Sequence, residues 1–183
     1  QAGQALAALA DRAIRGSRSG FDETLYPVVA RMPEVAVASP VLELDVRVLG
    51  KRDPLKLMAV DVFRAAQVQP ELVLADAGEA LDFLRPDRIF LSRPAAEWLQ
   101  AEAGDEIGMQ VGLSEVKLRV AGIVRGESLR QRVGVVDIGA AQWRLDRLGQ
   151  INRIALRMRP GADIDAFAAR LQLPPGVVIE RPA

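Results

Sequence analysis

The sequence predicts an α+β fold in which the two chain ends form one lobe and the middle of the chain forms an inserted β-rich lobe. Three observations favour this fold: a strictly alternating strand at residues 42–48, a short pattern that occurs near both ends, and several short apolar strands in between. With 183 residues the chain can form one domain or two small ones. A chain of this length buries about 70% of its unfolded surface and needs no disulfide to fold.

The alternating segment predicts a strand with one buried and one solvated face. Apolar residues occupy every second position, namely Leu42, Leu44, Val46 and Val48. Charged residues occupy the positions between them, namely Glu43, Asp45 and Arg47. Because successive side chains of a strand point to opposite faces, we expect a strand over residues 35–49 whose back is open to water. A turn at residues 50–54 and a partner strand over 55–62 follow.

A helix, a proline and a strand follow one another near each chain end. The pattern Pro-x-Val-x-(Val/Ile)-x-x-Pro occurs at residues 33–40 and again at residues 175–182. An amphipathic helix precedes each copy, capped by Asp22 in the first and by Asp163 in the second. Two such units can pack side by side in one α+β layer, although chance agreement of the pattern stays an alternative.

This repeat divides the chain into two lobes. We assign residues 1–52 and 150–183 to the lobe built from the chain ends, and residues 53–149 to the inserted β-rich lobe. Pairing of the two end segments brings the chain ends close together in space.

The elements between the repeats are mostly short. Ser92 is expected to cap a helix that stops at Gly104, and residues 63–87 are expected to form an irregular loop with a turn or two of helix. Further strands are expected over residues 88–92, 107–111, 116–124, 133–138, 151–159 and 177–180. Further helices are expected over residues 139–148 and 164–171.

The first residues predict a helix that begins upstream of the sequence. Apolar residues at helical spacing occupy one face of residues 1–16, and no capping residue precedes them. Residue 1 is Gln1 rather than Met, which favours a processed product or a piece of a longer chain. The longest uncharged run, residues 1–10, is too short to span a membrane. A surface helix that packs on the body is the alternative.

The composition excludes several classes of functional site. The chain contains neither cysteine nor histidine, which rules out thiolate and imidazole metal sites, disulfides, and Ser-His-Asp or Cys-His catalysis. Lys+Arg and Asp+Glu number 24 each, so the formal net charge is zero. Because a nucleic-acid binder carries a basic face, no nucleic-acid partner is expected. No glycine-rich nucleotide loop occurs, and no cofactor is expected.

Two pairs of residues resemble catalytic groups, and a structural role is favoured for both. Ser114 and Lys117 match the Ser-x-x-Lys motif of penicillin-binding enzymes. The segment alternates like a strand, however, and residues three apart on a strand point to opposite faces. Glu43 and Asp45 lie about 7 Å apart on one strand face and could act as an acid–base pair. A solvated sheet face is the favoured interpretation.

Three further groups are interpreted in the same way. Acidic residues could hold calcium, but their spacing fits no calcium loop; they are Asp76, Glu79 and Asp82. Arginines around Gly126 could meet anionic lipid or a partner, but a solvated loop is preferred; they are Arg125, Arg130 and Arg132. Trp98 and Trp143 are expected to pack in a core or between lobes, with a partner surface as the alternative. No catalytic, cofactor-binding or metal-binding residue is therefore predicted.

Six short segments, taken in order, resemble one known family. They are Arg-Met-Pro-Glu-Val at 31–35, Leu-Met-Ala-Val-Asp at 57–61, Ile-Phe-Leu-Ser at 89–92 with its following helix, Gly-Asp-Glu-Ile at 104–107, Val-Ala-Gly-Ile-Val at 120–124 and Val-Asp with Ala-Ala-Gln at 136–142. Glu34 and Ala59 stand where that family usually has glycine. Over residues 20–182 the chain resembles the extracytoplasmic, MacB-like periplasmic core domain of FtsX-like ABC transporter permeases.

The resemblance implies an architecture and a role. The domain would lie between the first and second transmembrane helices of a permease, on the periplasmic side of the bacterial inner membrane. Its fold would be a porter-like α/β sandwich lobe built from both ends, with an inserted β-rich lobe. It would be non-catalytic, would bind a substrate or partner, and would move when ATP is hydrolysed, the two lobes rotating about their connections near residues 52 and 149.

The resemblance also implies partners. They are a cytoplasmic ABC ATPase, a second permease subunit, and a periplasmic adaptor or a lipoprotein. Two other hypotheses stay open from the sequence. A soluble periplasmic binding or scaffold module would have a signal peptide before Gln1 and a stop codon after Ala183. A carboxylate-based hydrolase would place Glu43 or Asp45 in a pocket that raises its pKa.

Overall fold

The computed structural model describes residues 12–68, 85–124 and 130–181. Its strands are β1 (Arg12–Arg15), β2 (Phe21–Asp22), β3 (Val35–Val48), β4 (Pro54–Val60), β5 (Arg88–Leu91), β6 (Glu106–Val111), β7 (Ser114–Ile123), β8 (Val133–Asp137), β9 (Gln150–Ile151), β10 (Arg153–Met158) and β11 (Val178–Glu180). Its helices are α1 (Leu25–Ala30), α2 (Val62–Val68), α3 (Arg93–Leu99), α4 (Ile138–Arg144) and α5 (Ile164–Arg170).

One mixed sheet runs through the whole described part of the chain. The strand order is β11-β1-β10-β3-β4-β8-β5-β7-β6, and β6 also pairs with β3. That extra pairing, at Arg47 and Val48, closes the ring β3-β4-β8-β5-β7-β6 into a small barrel. Strands β10, β1 and β11 extend from β3 as an open sheet, and β2 pairs with β9 in a separate two-stranded sheet. The α+β class predicted from the sequence is confirmed.

The barrel is filled by the apolar residues of its alternating strands. Its buried core includes Leu42, Val46, Leu57, Met109 and Leu118. Helices α3 and α4 add apolar side chains to the same core, so that little room is left inside. The β6–β7 hairpin and strands β5 and β8 form close to their predicted positions.

The open sheet carries a second core on one face. Helices α1 and α5 contribute Val29 and Phe167, which pack against Ile154 and Leu156 of β10 and Ile14 of β1. Both copies of the helix–proline–strand unit form, α1 leading into β3 and α5 into β11, and residues of both copies belong to this core. The repeat therefore corresponds to two related packing units.

Strand β3 contributes to both of these cores, and its Val41 lies in a third buried cluster with Met58 and Val60 of β4. Val35 and Ala38 pack with the open-sheet core, whereas Leu42 and Val46 pack inside the barrel. The passage between the two cores therefore lies within β3, near residue 41, rather than in the turn near residue 52. The assignment of residues 1–52 and 150–183 to one lobe and 53–149 to the other stays a prediction.

The sequence misjudged three local features. Residues 12–15 form β1 rather than the last turn of a helix, because they pair with β10 on one side and with β11 on the other. Asp22 does not cap a helix but lies in β2, and its carboxylate accepts a hydrogen bond from the Thr24 N–H. Helix α3 ends at Leu99, where Gln100 adopts a left-handed conformation, and not at Gly104.

Three other helix caps are made by side chains. The Ser92 hydroxyl accepts from the Ala95 N–H at 3.3 Å, and the Asp163 carboxylate accepts from the Ala166 N–H at 3.1 Å, both as predicted. At the start of α4 the Asp137 carboxylate accepts from the Ala140 N–H at 3.1 Å. These caps satisfy backbone donors that would otherwise lack partners.

Several predictions fall outside the described residues. They concern the helix over residues 1–11, the loop over residues 69–84 with its acidic side chains Asp76, Glu79 and Asp82, and Arg125. Within the described ranges, no helix is both long enough and apolar enough to cross a membrane.

We expect Met109→Ala to destabilise the barrel. Met109 is buried in the barrel core, and shortening it leaves a cavity, which costs about 2–5 kcal/mol. Leu113→Ala is the matched control, because Leu113 is fully exposed at the β6–β7 turn and should change stability by less than about 0.5 kcal/mol. Urea unfolding of both variants measures the difference. Equal losses would contradict the closed barrel.

We expect Asp137→Asn to become more favourable as the pH rises. Burial raises the pKa of Asp137, and nearby Asp61 adds to this, although backbone hydrogen bonds oppose it. Folding therefore favours the protonated carboxyl. This contribution is full below the ordinary value of 3.8 and is lost as the pH rises through the raised pKa. Asparagine keeps the capping oxygen without the charge.

The measurement is the free energy of unfolding of Asp137→Asn and of the unchanged protein between about pH 3 and pH 7. The difference should shift in favour of the variant as the pH rises. A difference that stays constant, or that moves the other way, would contradict the effect of burial. Asp163→Asn is the control, because that cap lies at the exposed start of α5.

Candidate functional site

The site lies where β3 exchanges one strand partner for another. On one edge of β3 the ladder to β10 ends at Val41, which pairs with Arg153. On the same edge the ladder to β6 begins only at Arg47, which pairs with Gln110. Within the described residues, the five positions between these ladders, Leu42 to Val46, have no strand partner on this edge.

The side chain of Asn152 extends the first ladder by one residue. Its Oδ1 accepts from the Glu43 N–H at 2.8 Å, and its Nδ2 donates to the Glu43 carbonyl at 2.7 Å. The Asn152 N–H also donates to the Val41 carbonyl at 3.1 Å. The primary amide of a buried asparagine thus takes the place of a peptide group where β10 begins.

A loop at residues 16–20 is fixed beside Asn152. The Gly16 N–H donates to the Asn152 carbonyl at 2.9 Å. Gly20 has a φ of 84°, and a Cβ there would lie 2.7 Å from the Ile151 carbonyl oxygen. This close approach requires glycine, because any side chain would push the loop away from β9. The loop is therefore fixed beside the open edge of β3 and lines one side of the space next to it.

Glu43 is held by two arginines from neighbouring strands. Its Oε1 accepts from Nη1 of Arg153 at 2.7 Å, and its Oε2 lies 3.7 Å from Nη1 of Arg15. Arg15 also donates to the carboxylate of Glu180 on β11. The Glu43 and Arg153 side chains are only 14% and 13% exposed. A connected set of ion pairs therefore links four strands, and its inner pair, Glu43 with Arg153, is screened less than an ion pair at the surface.

These groups surround a cleft of about 310 Å³. Its walls are mostly polar and are formed by Arg15, Gly16, Ser17, Arg18, Glu43, Leu44, Asp45, Lys56, Arg147 and Asn152. The volume is at the lower end of the range for small-ligand sites. The cleft contains segments from both predicted lobes, since Lys56 and Arg147 belong to the inserted one.

The cations of the cleft outnumber its carboxylates. Arg18 lies 3.5 Å from the Asp45 carboxylate and is almost fully exposed. Lys56 donates only to the neutral amide of Gln131, at 3.4 Å, among the described residues. The Arg147 guanidinium has no hydrogen-bond or ion-pair partner among the described residues. The cleft therefore offers positive charge and hydrogen-bond donors to an anionic group.

The structure places the predicted acid–base pair on the wall of this cleft. The solvated sheet face predicted for Glu43 is wrong, because arginines from β1 and β10 cover its carboxylate. Asp45 is 42% exposed and closer to the prediction. Because guanidinium groups occupy both oxygens of Glu43, this carboxylate is poorly placed to accept a proton from a substrate.

The other candidate residues do not come together. Ser114 and Lys117 lie on β7, so the predicted strand is confirmed, and three-residue spacing places them on opposite faces. Among the described residues, no three or more acidic side chains are arranged to hold a metal ion.

The two tryptophans differ in their surroundings. Trp98 packs against the barrel core, as predicted, and the cations of Lys51 and Arg132 lie 5.6 Å and 4.6 Å from its ring centre. Arg132 also lies 3.8 Å from the carboxylate of Asp53, so it is not a free loop cation. Trp143 is 72% exposed on α4, which contradicts the predicted packing in a core.

Sequence reasoning missed Asn152, Arg15 and Arg147. Asn152 is the only asparagine of the chain and directly precedes an apolar strand, and these two signals could have identified it. Nothing in the local sequence of Arg15 or Arg147 indicates a cleft. Arg15 meets Glu43 because β1, β10 and β3 are successive strands of the sheet, and Arg147 lines the cleft from the segment between α4 and β9.

Comparison with known proteins identifies the fold. The model of the family described as MacB-like periplasmic core domain matches residues 2–173. No match is found among curated protein sequences.

Two solved structures share the fold at low sequence identity. The extracellular domain of the noncanonic ABC-type transporter YknZ from Gram-positive bacteria is 9% identical, with a TM-score of 0.60 over 86% of this chain and 88% of that one. The periplasmic region of MacB from Actinobacillus actinomycetemcomitans is 11% identical, with a TM-score of 0.62 over 95% of this chain and 89% of that one. The resemblance drawn from the sequence segments is confirmed.

We expect Asn152→Ala to destabilise the junction between the two cores. The substitution leaves the N–H and the carbonyl of Glu43 without their partners at a partly buried position, which costs about 1–3 kcal/mol. Gln110→Ala is the control, because the exposed Gln110 amide donates only to the nearby Gly112 carbonyl. Thermal and urea unfolding measure both. Equal effects would mean that the Asn152 amide is not a structural link.

Proposed function

Because this chain belongs to the family of MacB-like periplasmic core domains, we propose that it couples ATP-driven movement of membrane helices to export or to lipoprotein or lipid handling. It is an extracytoplasmic domain of an ABC transporter permease. The coupling, the non-catalytic role and the bacterial inner membrane as its location are parts of the proposal. The ATPase is a separate domain or chain in the cytoplasm.

The observation that carries the proposal is the pairing of the first and last strands. β1 and β11 are antiparallel neighbours, with Ala13 opposite Glu180 and Arg15 opposite Val178. The start of β1 and the end of β11 therefore lie at the same end of the sheet. A domain connected at that end to two membrane helices would receive their movement on two adjacent strands.

The strands β1 and β11 are connected to the barrel through strand pairing. β1 pairs with β10, and β10 pairs with β3, which continues into the barrel wall. A second contact joins the two predicted lobes at the surface, where the Gln142 amide of α4 donates to the Glu23 carboxylate at 2.9 Å. Relative rotation of the lobes must bend β3 and break contacts of this second kind.

The proposed partners are a cytoplasmic ABC ATPase, a second permease subunit, and a periplasmic adaptor or a lipoprotein. Trp143 and Leu148, both largely exposed on and after α4, offer an apolar contact for such a partner. No nucleic-acid partner and no cofactor are part of the proposal.

Crosslinking the two lobes in the full transporter tests the coupling. The 183 residues contain no cysteine, so that Glu23→Cys and Gln142→Cys add the only two thiols to this domain, and the transporter without these two substitutions, treated with the same reagent, is the background control. A short bis-methanethiosulfonate reagent then joins the lobes across the site of the native hydrogen bond. We expect ATP hydrolysis in reconstituted membranes to fall severalfold and to recover when the crosslink is reduced.

The control places both thiols within the inserted lobe. Glu106 and Lys117 form an exposed ion pair at 4.0 Å between β6 and β7, and crosslinking Glu106→Cys to Lys117→Cys should leave ATP hydrolysis unchanged. If the Glu23–Gln142 crosslink also leaves hydrolysis and transport intact, rotation of the two lobes is not part of the cycle.

A further inference from the structure

The cleft beside β3 contains backbone groups that lack a strand partner. In an antiparallel strand, the N–H and C=O of one residue point to the same side, and those of alternate residues point together. Glu43 directs both groups to Asn152, and Arg47 pairs with Gln110 on the same edge. Asp45 lies midway between them, so its N–H and C=O point into the cleft, where the described residues offer no strand to meet them.

This gap is the size of a short strand segment. The ladder on one side ends with the Asn152 amide, and the ladder on the other side begins at Arg47. An extended segment of two or three residues laid between them would exchange main-chain hydrogen bonds with Asp45. Adding a strand to an open sheet edge is a common way to bind a peptide, because the main-chain bonds supply affinity without a particular sequence.

The charges of the cleft identify which part of a peptide it would take. Glu43 is neutralised by Arg15 and Arg153, and Asp45 has Arg18 beside it. The cations of Lys56 and Arg147 remain without a carboxylate partner among the described residues. They line the same cleft as the free edge of β3. The Asp45 N–H and C=O can pair with the main chain of a peptide, and the nearby cations can bind its terminal carboxylate. The cleft is therefore complementary to a peptide that ends in a free carboxylate.

We propose that this cleft binds the carboxyl-terminal end of an extended peptide. The main chain of the peptide pairs with Asp45 on the open edge of β3, and its terminal carboxylate meets Lys56 and Arg147. Ser17 and Arg18 of the loop at residues 16–20 close the cleft from the side. The bound segment would touch both predicted lobes, since Arg18 belongs to one and Lys56 and Arg147 to the other. The inference does not depend on the proposed coupling to a membrane.

Binding of tri-alanine to the 183-residue chain tests the proposal directly. Calorimetry should detect saturable binding of tri-alanine with a free carboxylate. Its carboxyl-terminal amide should bind about tenfold more weakly, because it lacks the charge-assisted contacts. Methylating the two peptide N–H groups of tri-alanine in turn should weaken binding by at least about threefold in one case, because one main-chain bond to β3 is lost.

The protein variants separate the cleft from general electrostatics. The double variant Lys56→Gln with Arg147→Gln should bind tri-alanine about tenfold more weakly. The matched control, Arg31→Gln with Arg159→Gln, removes the same charge from exposed residues outside the cleft and should bind like the unchanged chain. Melting temperatures of all variants should be close to that of the unchanged chain, since none of the four side chains is buried.

Other outcomes would overturn the proposal. Equal affinity for tri-alanine and its amide would remove the carboxylate from recognition. Inorganic phosphate that binds as tightly as tri-alanine, together with unchanged binding of both methylated peptides, would make the cleft a general anion site. Absence of saturable tri-alanine binding, or equal losses in the cleft and control variants, would also reject it.

Discussion

The structure depends on one strand that has to satisfy two cores. β3 pairs with β10 along its first half and with β4 and β6 along its second half. Every backbone group of a buried strand needs a hydrogen-bond partner, and the exchange of partners near Val41 leaves a short stretch in which one edge has none. Pro40, which has no N–H to satisfy, lies directly before the exchange.

The chain meets this constraint with polar side chains. Asn152 supplies the missing peptide group for Glu43, and the carboxylate of Glu43 is in turn held by Arg15 and Arg153. The part of this edge that remains open is the backbone of Asp45, which borders the polar cleft rather than an apolar core. The candidate site is therefore a consequence of how the barrel joins the open sheet.

The same junction would serve the proposed coupling to membrane helices. The two outer strands of the open sheet, β1 and β11, lie at the far edge from the barrel, and β3 is the one strand shared by the barrel and the sheet among the described residues. A displacement at the outer strands would reach the barrel through the paired strands β1 and β10 and then along β3. A segment bound in the cleft would brace the place where the ladder is interrupted, so that ligand and movement would act on the same few residues.

Local patterns in the sequence determined much of the fold. Alternation in residues 42–48 placed Leu42 and Val46 inward, and capping groups such as Ser92 and Asp163 marked helix starts, because these features depend on neighbours a few residues away.

Tertiary structure decided the rest. Residues 12–15 became a strand because β10 and β11 flank them, and Trp143 stayed exposed because no element packs over α4 in the described chain. Glu43 was covered by Arg153, 110 positions away in sequence, and by Arg15 of β1, which lies two strands away in the sheet. Strand pairing joins residues that are remote in sequence, and a single sequence carries no local signal of which remote residues will meet.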